Sequence, residues 1–262
     1  MSKILLTIAY DGTNYYGYQV QNDKPTIARM LNVASKEAFG FECNLTGCSR
    51  TDSGVHAFGF MATVEPKNGS DKITVPICKI PVAMNVKLPN DIVVLDAKEV
   101  SNDFHPRYSV KSKEYVYKIH DSSTPNPFYR NYALEYGKAI SDESIELMNS
   151  ACQYFLGTHQ FDSFMASGSK IEDTTRTVYH ANVKRNGDIV EFSVCADGFL
   201  YNMVRIMVGT LLRVESNKIS PKEISNIILS KNRALAGATV KSCGLYLKKV
   251  QYDSWQMPKN SL

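Results

Sequence analysis

The stretch Thr175-Arg176-Thr177-Val178-Tyr179-His180-Ala181-Asn182-Val183-Lys184, then Arg185-Asn186-Gly187-Asp188, then Ile189-Val190-Glu191-Phe192-Ser193-Val194-Cys195-Ala196, decides the class of fold. The Asn-Gly pair between two strand-like runs marks a tight hairpin, because Gly supplies the positive φ that a two-residue turn requires. The turn is read as Arg185–Asp188. Upstream of it, Ser141 opens a helix whose Ile145, Met148, Cys152 and Phe155 share one face, and Gly157 ends it. Before that helix, Lys113–His120 reads as a strand. Downstream, Asn202–Val214 is a strongly apolar helix. Ser220-Pro221-Lys222-Glu223 reads as a capping box with Pro at the first helical position, and Lys241–Val250 closes as a strand.

The first half has a similar order. Lys3–Tyr10 alternates as a strand, with Ile4, Leu6 and Ile8 on one side. A loop rich in Gly and Tyr covers Asp11–Asn22. Thr26–Phe39 is a helix with Ile27, Met30, Leu31, Ala34 and Ala38 near one face. Glu42–Leu45, Ala57–Val64 and Ile92–Val100 are strand-like. A β-α-β-β-α-β order without regular βαβ units predicts an α+β fold: two similar halves, a mixed and mostly antiparallel sheet flanked by helices, and a central active-site cleft. The expected domains are 1–105, an N-terminal α+β domain carrying the loop around Asp52, and 106–262, a C-terminal α+β domain.

Composition limits the classes of function. At 262 residues, 44% hydrophobic and 21% charged, the chain has the make-up of an ordinary folded protein with one or two domains. No apolar run approaches the roughly 20 residues needed to span a bilayer. The start, Met1-Ser2-Lys3-Ile4-Leu5-Leu6, reaches Tyr10-Asp11 too soon for a signal peptide. A cytoplasmic location is therefore expected. The six cysteines, at 43, 48, 78, 152, 195 and 243, form no CxxC pair, which excludes common zinc spacings and predicts reduced thiols. Residues 1–110 hold 11 basic and 11 acidic side chains, so the net +4 lies wholly in 111–262. That mild excess is compatible with a polyanionic partner and equally with none.

Four segments carry groups suited to chemistry. In Gly47-Cys48-Ser49-Arg50-Thr51-Asp52-Ser53-Gly54-Val55-His56, an Asp beside a guanidinium stays ionised, as a nucleophile or general base must. The same residues also suit a polar turn between strands. The loop Tyr10–Asn22 holds four tyrosines, which can stack on unpaired bases or anchor the loop to the core. Phe104-His105-Pro106-Arg107-Tyr108-Ser109 runs towards Lys113-Glu114-Tyr115-Val116-Tyr117, where Tyr115 and Tyr117 share a strand face. The fourth segment is Phe199–Gly209, where Asn202, Arg205 and Gly209, with Arg213 one turn beyond, fall on one helical stripe. A solvent face is the default for such a stripe. In so apolar a helix, however, an Arg demands an anionic partner, for which Asp52 is a candidate.

Together these segments resemble the TruA family of pseudouridine synthases. The family motif G-R-T-D-x-G-V-H is matched from Ser49 to His56 except at its first position, and Y-D-G-x-x-Y-x-G-W-Q from Tyr10 to Gln19 with Tyr18 for Trp. D-F-H-x-R matches Asp103–Arg107, K-x-Y-x-Y Lys113–Tyr117, and G-T-H-x-F Gly157–Phe161. M-V-R-x-x-V-G matches Met203–Gly209, and G-L-Y-L Gly244–Leu247. Ser49, Ser53, Pro106 and Cys48 are further departures, and none removes an ionisable group of the motifs. The resemblance implies a tRNA pseudouridine synthase acting at positions 38, 39 and 40 of the anticodon arm, with Asp52 as catalytic carboxylate. It implies that Tyr115 contacts the flipped uracil, with Tyr117 as the alternative, and that Arg205 pairs with Asp52. Arg50 would contact RNA, and Leu245 would line the base pocket. It also implies a homodimer that uses no metal or organic cofactor and no membrane. The competing readings are a synthase with another RNA target, a non-catalytic RNA-binding protein on the same fold, and a metal-dependent hydrolase using Asp52 and His56.

Overall fold

The structure, a computed structural model, describes residues 3–169 and 171–253. The chain divides into two compact units: Met1–Lys111 together with Leu247–Leu262, and Ser112–Tyr246. The expected border at 105/106 thus lies six residues early. It also misses that the end of the chain returns to the first unit. Nothing in the local pattern of Lys241–Val250 distinguishes a strand that stays from one that goes back.

Unit 1 is built on β1 (Lys3–Tyr10), β2 (Cys43–Gly47), β3 (His56–Pro66), β4 (Ile92–Val100) and the part of β10 (Leu245–Tyr252) from Leu247 onward. The order is β4-β1-β3-β10, and β2 also pairs with β3. The β1 pairings with β3 and β4 and the β2–β3 pairing are antiparallel. Alternation puts Ile4, Leu6 and Ile8 on a buried face with Phe60 and Val64. Helix α1 (Ile27–Phe39) buries Ile27, Leu31 and Ala34. It starts where the Thr26 hydroxyl accepts from the Arg29 amide, and stops at Gly40, whose φ of 83° no β-carbon opposes. A short helix α2 (Ile80–Asn85), with too few residues to show a period, was not anticipated. Its Asn85 side chain bonds both the amide and the carbonyl of Val94, blunting the outer edge of β4. A small cluster of Leu5, Val100 and Phe104, joined by Met61 and Tyr252, holds the segment after β4 to the unit.

Unit 2 contains β5 (Val110–His120) from Ser112 onward, β6 (Leu134–Glu135), α3 (Asp142–Cys152), β7 (Gly157–Gln160), β8 (Thr175–Asn186), β9 (Ile189–Ala196), α4 (Met203–Glu215) and α5 (Glu223–Ser230). The strand order is β5-β9-β8-β7, with β6 parallel to β5. The β8–β9 hairpin forms as expected, but Asn186 pairs with Ile189, so the loop is Gly187-Asp188, one residue later than Asn-Gly suggested. Gly187 takes the positive φ, 63°, at the first loop position. Ser141 caps α3 through the Ser144 amide, yet the helix ends at Cys152. A single 3-10 turn carries Phe155 into the core, and Gly157 opens β7 at φ 93°. The capping box is not formed. Ser220 and Pro221 accept from the Glu223 and Ile224 amides by their backbone carbonyls, and the Glu223 carboxylate accepts from Asn226 instead. Among the described residues no helix is long and apolar enough to cross a membrane.

Candidate active site

Asp52 lies in the loop that links β2 to β3, between buried Thr51 and buried Val55, and is itself half-buried. The Tyr-rich loop after β1 is the mould for this segment. Gly12 presses on it so closely that a β-carbon there would come within 2.0 Å of the Val55 carbonyl oxygen. Gly17, at φ 84°, would likewise bring one to 2.5 Å from the Thr51 oxygen. The Tyr18 amide donates to the Thr51 carbonyl (3.1 Å), and the Gly54 amide and Ser53 hydroxyl donate to the Tyr15 carbonyl (3.3 and 3.2 Å). The Tyr10 and Thr51 hydroxyls share a buried bond of 2.8 Å. The residue preceding Asp52 is therefore held by its carbonyl and by its side chain.

The question of what the tyrosines do resolves ring by ring. Tyr10, Tyr15 and Tyr18 are buried and anchor the loop; Tyr16 alone is exposed, with the Lys24 ammonium 4.4 Å from its ring centre. Tyr15 donates to Asp91 at 2.5 Å; burial first, and that carboxylate second, hold its hydroxyl protonated far above the usual phenol range. Tyr18, standing where the resembling family has Trp, stacks on Phe60 with centroids 4.4 Å apart. Its exchange thus bears on loop packing. Its hydroxyl has no hydrogen-bond partner among the described residues.

His56 is a tie between loops. Buried at the start of β3, its Nδ1 lies 3.1 Å from the Gly12 amide and 3.1 Å from an Asp11 carboxylate oxygen. A neutral ring accepts from the former and a protonated ring donates to the latter. Asp11 in turn accepts from the Thr13 amide and hydroxyl. Among the described residues no three His, Cys, Asp or Glu side chains are grouped to hold a metal, so the hydrolase reading has no ligand set. Arg50 is exposed.

In unit 2, Tyr115 and Tyr117 are both buried. Tyr117 is wholly buried and donates to the Lys241 carbonyl at 2.6 Å; burial raises its pKa far above the usual value. Tyr115 packs edge-on against Phe199, centroids 5.0 Å apart. Leu245, at the start of β10, is buried.

The stripe on α4 is not a solvent face. It is the bed for the returning segment 235–240. Arg213 donates to the Leu235 carbonyl (2.5 Å), the Gly237 amide to the Thr210 hydroxyl (2.9 Å), and Arg205 Nε to the Val240 carbonyl (2.7 Å). A β-carbon on Gly209 would stand 1.9 Å from the Ala238 oxygen, so backbone lies on backbone there. Asn202, the left-handed residue before α4 at φ 59°, makes no cap bond with its side chain; its Oδ1 accepts from Arg205 Nη1 at 2.6 Å. Two acceptors thus set the plane of the Arg205 guanidinium. Sequence reasoning missed Tyr10, Thr51, Asn202 and the 235–240 segment as supports; only the glycines at 12, 17, 209 and 237 hinted at close backbone approach.

A family model described as tRNA pseudouridine synthase matches residues 6–109 and 151–253. The chain is 43% identical over 252 residues to tRNA pseudouridine synthase A of Thermoanaerobacter sp. (strain X514), covering 96% of this chain and all of that one. It is 42% identical, with the same coverage, to the protein of that name from Clostridium acetobutylicum, and 40% identical over 258 residues to that from Anoxybacillus flavithermus.

Proposed function

The chain belongs to the tRNA pseudouridine synthase family, and from that premise we propose that it isomerises uridine at positions 38, 39 and 40 of the tRNA anticodon arm, with Asp52 as the catalytic carboxylate. The observation that carries the residue assignment is the clamp on Thr51. Its carbonyl, bonded to the Tyr18 amide, and its hydroxyl, bonded to Tyr10, fix the backbone from which Asp52 projects.

The reaction breaks the N1–C1′ bond of uridine, turns the uracil, and forms a C5–C1′ bond; the C5 hydrogen leaves as a proton and N1 gains one. Asp52 acts on the target nucleotide at C1′ or at the base. Arg205, its guanidinium plane set by Asn202 and Val240, is assigned to keep that carboxylate ionised. Tyr115 is assigned to contact the uracil. Tyr117, whose hydroxyl is committed to Lys241, is the poorer candidate. Leu245 lines the base pocket and Arg50 holds RNA backbone. Taking the nucleotide out of its stack costs roughly a few kcal/mol, which contacts of this kind must return. The working species is a homodimer in the cytoplasm that uses no metal or organic cofactor.

The test is tritium release from tRNA labelled at uridine C5, with wild type and Asp52→Asn side by side and with transcripts carrying uridine in the anticodon arm at 38, 39 or 40 alone. Release by wild type from each, and none by Asp52→Asn with tRNA binding intact, is expected. Equal release by the variant removes Asp52 from its role. Release only from uridines elsewhere removes the anticodon-arm target.

A further inference from the structure

Tyr108 is an aromatic ring placed in the open by a segment that is otherwise tightly secured. The turn after β4 is pinned at many points within unit 1. Phe104 is buried in the cluster with Leu5 and Val100 and meets the Tyr252 ring edge-on at 4.9 Å. The Tyr252 hydroxyl donates to the Pro106 carbonyl (2.8 Å), and Lys3 Nζ donates to the Asn102 and Phe104 carbonyls (2.7 and 3.2 Å). The Ser109 amide and hydroxyl close the turn on the backbone of His105. His105 Nδ1 accepts from the Arg107 and Tyr108 amides, at 3.1 and 3.3 Å. That role needs an unprotonated nitrogen, and burial, then Lys3 and Arg107, hold the imidazole pKa below its usual value.

The outcome is a Tyr108 ring lying over the His105 ring, centroids 4.3 Å apart, while 78% of the residue is exposed. One face of the ring is thus backed. Beside it, Arg107 is exposed, with its guanidinium carbon 6.0 Å from the ring centre and no ion pair among the described residues. An aromatic face backed by a second ring, with an unpaired planar cation at its edge, has the chemistry of a single-stranded nucleotide subsite. The base stacks on the ring and its phosphate meets the guanidinium.

We infer that Tyr108, backed by His105 and flanked by Arg107, is a stacking platform for an unpaired base of the bound tRNA outside the reacting nucleotide. The inference rests on the tRNA substrate assigned above. Because the turn is fixed before binding, little ordering cost falls on the protein side.

The test measures tRNA affinity at fixed salt for wild type, Tyr108→Phe, Tyr108→Leu and Tyr108→Ala, together with turnover at saturating tRNA and the thermal midpoint of each. Phe is expected to bind within about 2-fold of wild type. Leu and Ala are expected to bind about 5- to 100-fold more weakly, the effect of losing one stacked base, with saturated turnover unchanged. Arg107→Gln should lower the salt dependence of binding by about one phosphate contact, which Tyr108→Ala should leave alone. Wild-type affinity in Tyr108→Ala overturns the inference, as does rescue by Leu, which would mark a merely apolar contact. So does altered self-association with RNA affinity intact, which would place the ring against a second copy. If wild type binds tRNA through Tyr108 yet releases no tritium, the catalytic reading falls and the platform stands. If wild type is active and Tyr108→Ala matches it, only the platform falls.

Discussion

Replacing Tyr18 by Phe should stabilise the protein. The ring is 6% exposed, stacked on Phe60, and packed so tightly on Gly47 that a β-carbon there would come within 2.5 Å of it. Phe keeps all of this packing. What it removes is a buried hydroxyl without a partner, and an unpaired buried polar group costs about 1–3 kcal/mol. Allowing for lost dispersion from one oxygen, the gain at pH 7 is about 1 kcal/mol, or ~0.3–1 M in urea midpoint for a slope of ~1–3 kcal/mol/M. The gain should widen in alkali. Burial, reinforced by Cys48, holds the Tyr18 hydroxyl well above its usual pKa. Below about pH 10 both folded and unfolded forms keep the proton and nothing is lost. Above it, the unfolded phenol ionises while the folded one does not, and each pH unit removes about 1.4 kcal/mol from the tyrosine protein only. Urea melts of both proteins at pH 7 and pH 11, followed by circular dichroism, measure the difference. The other buried tyrosines are common to both and cancel. A lower midpoint for Tyr18→Phe at pH 7, or a gap that closes at pH 11, refutes the reasoning. Turnover should be unchanged, because Tyr18 holds Thr51 by its backbone amide.

Tyr10→Phe and Thr51→Val each break the hydroxyl pair beside Asp52 and should lower kcat about 10-fold with little change in KM. The double variant should cost no more than the worse single one, and a steady-state cycle that proves additive separates the two residues. Gly209→Ala drives a β-carbon into the Ala238 carbonyl. It should destabilise by about 1–3 kcal/mol. It should also lower turnover, by moving the Val240 carbonyl off Arg205. An unchanged thermal midpoint would show that the 235–240 segment yields freely.

Much of the fold was legible because it rests on local signals. Alternation in Lys3–Tyr10 and the run Ile92–Val100 gave strands with the observed bounds, and Ser141 opens the helix it was expected to open; Thr26, read as the first residue of its helix, is instead the cap before it. The hairpin turn was displaced by one residue because Gly187 can serve either loop position, and strand pairing chose between them. The capping box failed because the turn at Ser220 satisfies the amides by backbone alone. The candidate residues were named by motif, but their supports were not. Helical geometry put Asn202, Arg205, Gly209 and Arg213 on one stripe, and only tertiary structure shows that a stretch of main chain, 22 to 35 residues on, is what that stripe meets. The same holds for Tyr10 and Thr51, 41 residues apart in sequence.

The return of β10 to unit 1 has a consequence for the order in which the protein is made. One edge of β3 is shared: β2 covers Ala62–Pro66, and β10 approaches where Gly59 meets Lys248. All of Ser112–Tyr246 is translated between the two. At ~5–20 residues per second the ribosome spends roughly 7–27 s on that interval. Throughout it, the half of β3 nearest the Asp52 loop, His56-Ala57-Phe58-Gly59-Phe60-Met61, waits with an apolar open edge. The Asp52 carboxylate, proposed as the catalytic group, is therefore synthesised well before the strand that completes its scaffold, and a nascent chain stalled before Leu247 is poised to aggregate rather than to modify RNA.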